Sequence, residues 1–291
     1  MRGRVALLTL PLFLAAAGRG SGQSVNPTSS VAVPDAGHLH AEFGFTSYRV
    51  DAFVEKSGAR QEFPGSLDFR VGVLRLSYSP IESFALGLEV PYRWSSYGPS
   101  GSAASVLARG NPGLGAYLDW APPGREDRLR PAFRLEYMTL RTGTDPVLTV
   151  SDGGSRFSGT FQLTALPGPL PAPWRGLASL RVEYGPPAGD DPRHLESSVQ
   201  LQAGRRLVAG RSLELAASAV AGYQASSEAR QEENLFHNRT SHGAFAGVLL
   251  SLETARSGIP LPSLSLSLTK DLCPRNAPSG WRVGLSFTRA F

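Results

Sequence analysis

The sequence predicts an all-β fold, a transmembrane antiparallel up-and-down barrel of about 12 strands (10–14), on three observations. Apolar and polar residues alternate in runs of roughly 10 to 14 residues along almost the whole chain. Gly and Pro, 32 and 23 of 291 residues, punctuate these runs and exclude long helices, because each costs roughly 1 to 3 kcal/mol inside one. The chain closes on an alternating run, GWRVGLSFTRAF, that ends in Phe291.

The first residues, MRGRVALLTLPLFLAAAGRG, read as a secretory signal: Arg2 and Arg4 precede an apolar stretch from Val5 to Leu14 and a small-residue cleavage site. Cleavage after Ala17 is expected, with Gly22 as the second choice. That divides the chain into a leader (1–17), a polar N-terminal segment (18–37) and a barrel (38–291). Loss of Arg2 and Arg4 lowers the formal charge from +5 to +3. No basic stripe interleaved with stacking aromatics is present, so nucleic acid is not an expected partner. Cys273 is the single cysteine and excludes an intrachain disulfide.

Twelve runs follow the leader, near 38–50, 66–79, 83–96, 111–121, 130–142, 155–166, 174–185, 194–207, 212–225, 240–254, 262–270 and 280–291. In the third, Phe84, Leu86, Leu88, Val90, Tyr92 and Trp94 share one face, with Ala85, Gly87, Glu89 and Arg93 opposite. The second changes phase, from Leu67, Phe69 and Val71 to Leu74, Leu76 and Tyr78, which predicts a bulge near Val73. The tenth, from Phe245 to Leu252, is apolar on both faces and leaves its register open.

Connections fall into two alternating classes. Those at 79–82 and 208–211 are compact, as are the Pro-rich stretches after Trp120, Ala165 and Ala255, whereas 51–65, 97–110, 143–154, 186–193, 226–239 and 270–279 are longer and more polar. Short turns at one end and long loops at the other is the asymmetry of an outer-membrane barrel. Aromatics close to strand ends (Phe84, Trp94, Trp120, Trp174, Tyr184, Tyr223, Trp281, Phe291) fit two interfacial girdles. In lipid every backbone polar group must be paired within the chain, so the sheet must close and its strand count must be even. The expected place is the outer membrane of a Gram-negative bacterium. The expected surroundings are outer-membrane lipid around a monomer.

The opposite faces of the runs carry the lumen-lining candidates Arg70, Glu89, Arg93, Asp119, Arg134, Glu136, Arg181, Glu183, Glu196, Glu214, Glu253 and Arg282. Both signs are mixed. They fit either a cross-strand ion-pair network or a polar channel lining. Gly87, Gly113, Gly115, Gly204, Gly222 and Gly284 at inward positions are expected to leave room for a cavity.

Three segments carry a family resemblance: LRLSYSPIESFALGLEVPYRW (from Leu74), GNPGLGAYLDW (from Gly110) and the closing GWRVGLSFTRAF. Together they resemble the proteobacterial barrels of the MetA-pathway of phenol degradation family and related "transporter" outer-membrane proteins. Asn111 and Pro112 stand near an Asp of that family's pattern, and Leu118 near its Lys. The resemblance implies a passive channel or uptake port, porin-like, for small hydrophobic or aromatic molecules. It also implies an assembly signal on the last strand (Trp281, Val283, Leu285, Phe287, Phe291), read by the barrel-assembly machinery.

Other classes find less support. FHNRTSHG (from Phe236) gathers His237, Ser241 and His242, and Asp190, Asp191 and His194 lie together, but no spacing brings a nucleophile, base and orienting group within reach. No catalytic residues, no cofactor and no metal are expected, since His38 and His40 share a face without a third ligand. The alternatives are a closed structural or adhesive barrel working through its outer loops, and an outer-membrane hydrolase.

Overall fold

Each strand pairs antiparallel with its neighbours, and the first pairs with the last. The computed structural model describes residues 31, 33, 36–99, 105–122, 129–140, 154–165, 174–186, 193–209, 214–229, 238–253 and 263–291, so the leader lies outside the described residues. The strands are β1 (Leu39–Val54), β2 (Arg60–Ile81), β3 (Phe84–Pro99), β4 (Ser105–Gly110), β5 (Gly113–Trp120), β6 (Leu129–Leu140), β7 (Ser155–Ala165), β8 (Trp174–Gly185), β9 (Arg193–Ala209), β10 (Glu214–Ala229), β11 (Asn238–Glu253), β12 (Ser263–Asp271) and β13 (Ala277–Ala290).

These strands make a closed wall of twelve positions, because β4 and β5 share one. β5 lies against β3 from Phe84↔Trp120 to Glu89↔Gly115, and β4 continues from Arg93↔Gly110 to Tyr97↔Ser105. The break falls at Asn111 and Pro112. Proline has no N–H for the ladder, and the Asn111 Oδ1 accepts the Gly113 N–H at 2.7 Å to turn the chain. Leu39 and Phe291 exchange backbone hydrogen bonds of 3.2 and 2.7 Å, which close the ring at its ends. The tight β2–β3 turn at Glu82 and Ser83 lies at that same end. We orient this end as the inner, periplasmic one.

Burial follows the pleat with its usual economy reversed. Leu88 and Leu135, on the outer face, are 54% and 62% exposed, whereas Asp119, on the inner face, is 1% exposed. A water-soluble sheet would bury the leucines; here the outside is the apolar solvent. Aromatic rings cluster near both ends of the apolar band. Trp120, Phe133 and Phe161 stand in a row with centroids 5.4 and 4.9 Å apart at the inner end. Tyr137 and Phe157 (4.8 Å) and Tyr92 and Trp94 (5.9 Å) mark the outer one. On β13, Trp281, Val283 and Phe287 share the exposed outer face, with the Phe291 ring beyond them under the Arg289 guanidinium.

Three expectations are corrected. No bulge occurs near Val73: the β1–β2 register runs unbroken from Leu39↔Tyr78 to Val50↔Leu67. The apolar residues of β2 instead change sides, with Leu74, Leu76 and Tyr78 facing outward and Leu67 and Phe69 packing inward around Tyr48 and Val50. Second, much of the expected loop at 51–65, 97–110 and 270–279 is strand. β1 and β2, 16 and 22 residues long, run well past the 9–11 residues that suffice to span lipid, and turn only at 55–59. Third, inward glycines are not empty space: the Tyr117 ring lies across Gly87, and the Phe245 ring across Gly222. The open register of the tenth run resolves with Phe245 and Leu249 inward against Val220.

A charge at the centre of the outer face has no partner in hydrocarbon. Leu88→Arg should therefore cost about 2–4 kcal/mol, read by denaturant titration in lipid vesicles. Ser267→Ala, buried on the inner face, should cost under about 1 kcal/mol.

Candidate functional site: the charged lumen

Alternation delivers one inward side chain every second residue, and antiparallel register sets those of adjacent strands directly opposite each other. That geometry builds ion pairs across the wall. Arg75 on β2 is the register partner of both Glu42 on β1 and Glu89 on β3. Its guanidinium reaches them at 3.2 and 2.5 Å. Arg134 on β6 faces Asp119 on β5 in register and donates two hydrogen bonds of 2.7 Å to its carboxylate. The same guanidinium lies over the Tyr117 ring, 4.4 Å from its centroid. All five charged side chains are buried.

A second group spans β6 to β10. Arg181 sits 3.0 Å from Glu183 and 3.9 Å from Glu136, and Arg156 donates to Glu183 at 2.8 Å. Glu183 and Glu196 are register partners of like charge. The His194 imidazole lies between them at 3.8 and 3.6 Å, and Gln224 donates to Glu196 at 3.2 Å. Glu214 takes Arg175 and Arg206 at 2.5 and 2.9 Å. On the opposite wall, Asp271 pairs with Arg282 at 2.9 Å and accepts from the Tyr48 hydroxyl (2.7 Å) and the Gly280 N–H (3.0 Å).

Within this frame lies a cavity of about 130 Å³. Its wall mixes guanidinium groups (Arg75, Arg93, Arg134, Arg156, Arg181, Arg282), carboxylates (Glu89, Glu136, Glu183) and apolar groups (Val71, Val73, Pro91, Pro112, Met138), and Arg93 and Arg156 face Val71 and Met138 directly in register. Val31, from the segment before β1, also lines it, and its N–H donates to the Gln162 Oε1 at 2.9 Å.

Of the sequence candidates, Glu89, Arg93, Asp119, Arg134, Glu136, Arg181, Glu183, Glu196, Glu214 and Arg282 point inward, and the Glu253 side chain lies outside the described residues. Arg70 is corrected. It is exposed on the outer face, opposite Trp94 in register. The bulge expected at Val73 caused the error, since one residue of slip exchanges the two faces. The outward Leu74 and Leu76 put Arg75 and Ser77 inside, and Arg75 is one cation that sequence reasoning missed. Glu42, Arg156, Arg175, Arg206, Asp271 and Tyr48 were also missed, though each lies on the polar phase of its strand.

The described part of the FHNRTSHG cluster is split between the two faces of the wall. Ser241 shares a 2.6 Å hydrogen bond with Ser226 on the inner face, while the neighbouring His242 is exposed on the outer face beside the Tyr223 ring. His237, Asp190 and Asp191 lie outside the described residues. No group of three metal-ligating side chains occurs among the described residues.

Removing one partner of a buried pair strands the other. Arg134→Met should cost about 3–5 kcal/mol by leaving Asp119 unpaired. The double variant Asp119→Leu/Arg134→Met should recover most of that loss in the same vesicle unfolding assay.

No model of a protein family matches the chain, and no curated protein sequence matches it. Solved structures do. An outer membrane channel from Pseudomonas putida F1 superposes with a TM-score of 0.65 at 17% identity, covering 92% of this chain and 100% of that one. The β domain of the Bordetella autotransporter BrkA gives 0.48 at 13% identity over 88% and 100% of the two chains. The Pseudomonas putida toluene transporter TodX gives 0.39 at 11% over 92% and 93%. With the closed twelve-position wall and the apolar exterior, the first of these gives the chain the fold of an outer-membrane β-barrel.

Proposed function

We propose that the chain is a channel of the bacterial outer membrane, exported with a cleaved leader, that passes small molecules through its lumen. The observation that carries this reading is the cavity inside the closed wall, whose lining sets guanidinium groups beside Val71, Val73, Pro91 and Met138. A wall of that kind can hold a solute by a polar end and an apolar body, the usual construction of a small-molecule site. The similarity in fold to the Pseudomonas putida channel supports the same reading, as does the resemblance to the MetA-pathway of phenol degradation family, which favours hydrophobic or aromatic solutes. The last strand, with Trp281, Val283, Leu285, Phe287 and Phe291, is in this reading the segment engaged by the assembly machinery.

The ion pairs set how the channel conducts. Arg75 bridges Glu42 and Glu89, and Arg134 holds Asp119, so the lumen on that side is filled by side chains rather than water. The channel is therefore narrow. A solute passes by displacing or skirting these pairs.

Purified, heat-modifiable mature protein should give discrete single-channel steps in planar bilayers and admit small solutes to liposomes. Arg75→Ala removes the bridging cation and leaves two carboxylates facing the lumen. It should raise conductance about two-fold or more and shift selectivity toward cations. A second reading, a closed barrel that works through its outer end, is favoured by the near-complete burial of these pairs. It holds if neither the folded native protein nor Arg75→Ala passes any solute.

A further inference from the structure

Four cations stand on the outer face of one sector of the wall, at its outer end: Lys270 on β12, Arg49 on β1, Arg70 on β2 and Arg109 on β4, all exposed. Their register partners are tryptophans. Trp281 lies directly between Lys270 and Arg49, and Trp94 directly between Arg70 and Arg109. The Lys270 ammonium sits 4.8 Å from the Trp281 ring centroid. The same motif thus occurs twice, and the two tryptophans are three strand steps apart, about 14 Å at the usual strand spacing.

The height of the motif fixes its solvent. Arg49 is ten residues from Leu39, at the inner edge of β1. That is roughly 25 Å along the barrel normal at ordinary strand rise and tilt, the height of the apolar band. Below the cations the outer face is lipid-facing: Phe43 and Phe45 on β1, Leu74 and Leu76 on β2, Leu266 and Leu268 on β12. At the corresponding outer edge β6, β7 and β8 carry Tyr137, Phe157 and Tyr184, and among the described residues no cation stands beside them. The chain has two lysines in all, and one of them is here. Asp68, the register partner of Arg49, is an acid within the patch, and Asp51 follows Arg49 on the same phase of β1.

None of this serves the lumen, since all these side chains point away from it. We propose that the sector from β12 through β13, β1, β2 and β3 to β4 is a binding site for a glycolipid of the outer leaflet bearing two phosphates, one at each cation–tryptophan–cation motif, with its acyl chains on the apolar face below. The proposal rests on the reading of the chain as an outer-membrane barrel. A free phosphate would use the cations but not the apolar face, and a phospholipid with one phosphate would use a single motif. A two-phosphate lipid uses all three features.

The test is native mass spectrometry and competitive binding of the folded mature barrel with bis-phosphoryl lipid A. Monophosphoryl lipid A, phosphatidylglycerol and inorganic phosphate are the comparison probes. Bis-phosphoryl lipid A should bind at least about ten-fold tighter than phosphatidylglycerol. The variant Arg49→Gln/Arg70→Gln/Lys270→Gln should lose on the order of 100-fold, about five-fold for each cation removed. Arg205→Gln/Arg289→Gln, which removes outward cations at the inner end, should bind as the native protein does. Should the triple variant fold poorly, Lys270→Gln alone should lose about five-fold. Equal binding by the triple variant, equal affinity for phosphatidylglycerol, or full displacement by millimolar inorganic phosphate would each overturn the proposal. Insertion into phosphatidylcholine vesicles, scored separately by heat modifiability, tests the membrane reading itself, so its failure is distinguishable from failure of the lipid site.

Discussion

Hydrocarbon offers no partner to a peptide group, and the architecture follows from that single fact. An open sheet would leave two rows of N–H and C=O groups unpaired, so β1 must find β13, and it does so from His40↔Ala290 to Val54↔Ala277. The closing bonds between Leu39 and Phe291 bring the start of β1 and the end of β13 together at one rim. Even the one interruption respects the constraint. Where the wall passes from β5 to β4, the unpaired stretch holds Pro112 on one side and Pro91 on β3 on the other. Neither has an N–H to leave unsatisfied. The irregularity falls where the backbone has least to lose.

Closure creates an interior, and alternation decides what fills it. Every strand that offers lipid a leucine must offer the lumen its neighbour in sequence. Buried charge is expensive unless paired and hydrogen-bonded, and the register supplies the pairing: Arg75 with Glu42 and Glu89, Arg134 with Asp119. The glycines belong to the same solution. A Cβ at Gly87 would collide with Tyr117, and that ring is the surface on which the Arg134 guanidinium rests. Gly222 does the same for Phe245 beneath Arg282. What reads in the sequence as empty space is room for an aromatic ring laid flat against the wall.

The wall was legible in the sequence because its determinant is local. A period of two, bulky residues on one phase and turn chemistry between runs are all visible without knowing which strands touch, and they placed every strand but β4, most of them within a few residues. The lumen was legible only in composition. Which Arg meets which Glu depends on stagger between strands, and stagger leaves no mark in a single run. The outer loops were misjudged for a related reason: the stretch from Asp51 to Gly65 is polar because it stands in water, not because it leaves the sheet. His194 looked like part of a loop cluster, but it is the inward residue at the start of β9, lying between two carboxylates. Polarity marks the solvent; it does not mark the end of a strand.

β2 shows how far that distinction reaches. Its inner half is apolar outward and its outer half apolar inward, with no slip in register between them. A bulge would have been the economical explanation if the same solvent lay along the whole strand. The solvent changes instead. Up to Leu74 the outside is hydrocarbon and takes the leucines; beyond Gly72 it is headgroups and water and takes Arg70 and Asp68. Tyr48, Val50, Leu67 and Phe69 then pack inward as the core of an ordinary water-exposed sheet. The reversal is therefore a ruler for the membrane boundary. It falls just below the row where Trp94 and Trp281 place the interface, two signals that share no residue. The inner part of the barrel is held by ion pairs inside a hydrocarbon jacket, and the outer part by an apolar core inside a polar one. The sequence period is the same in both, and only the phase tells them apart.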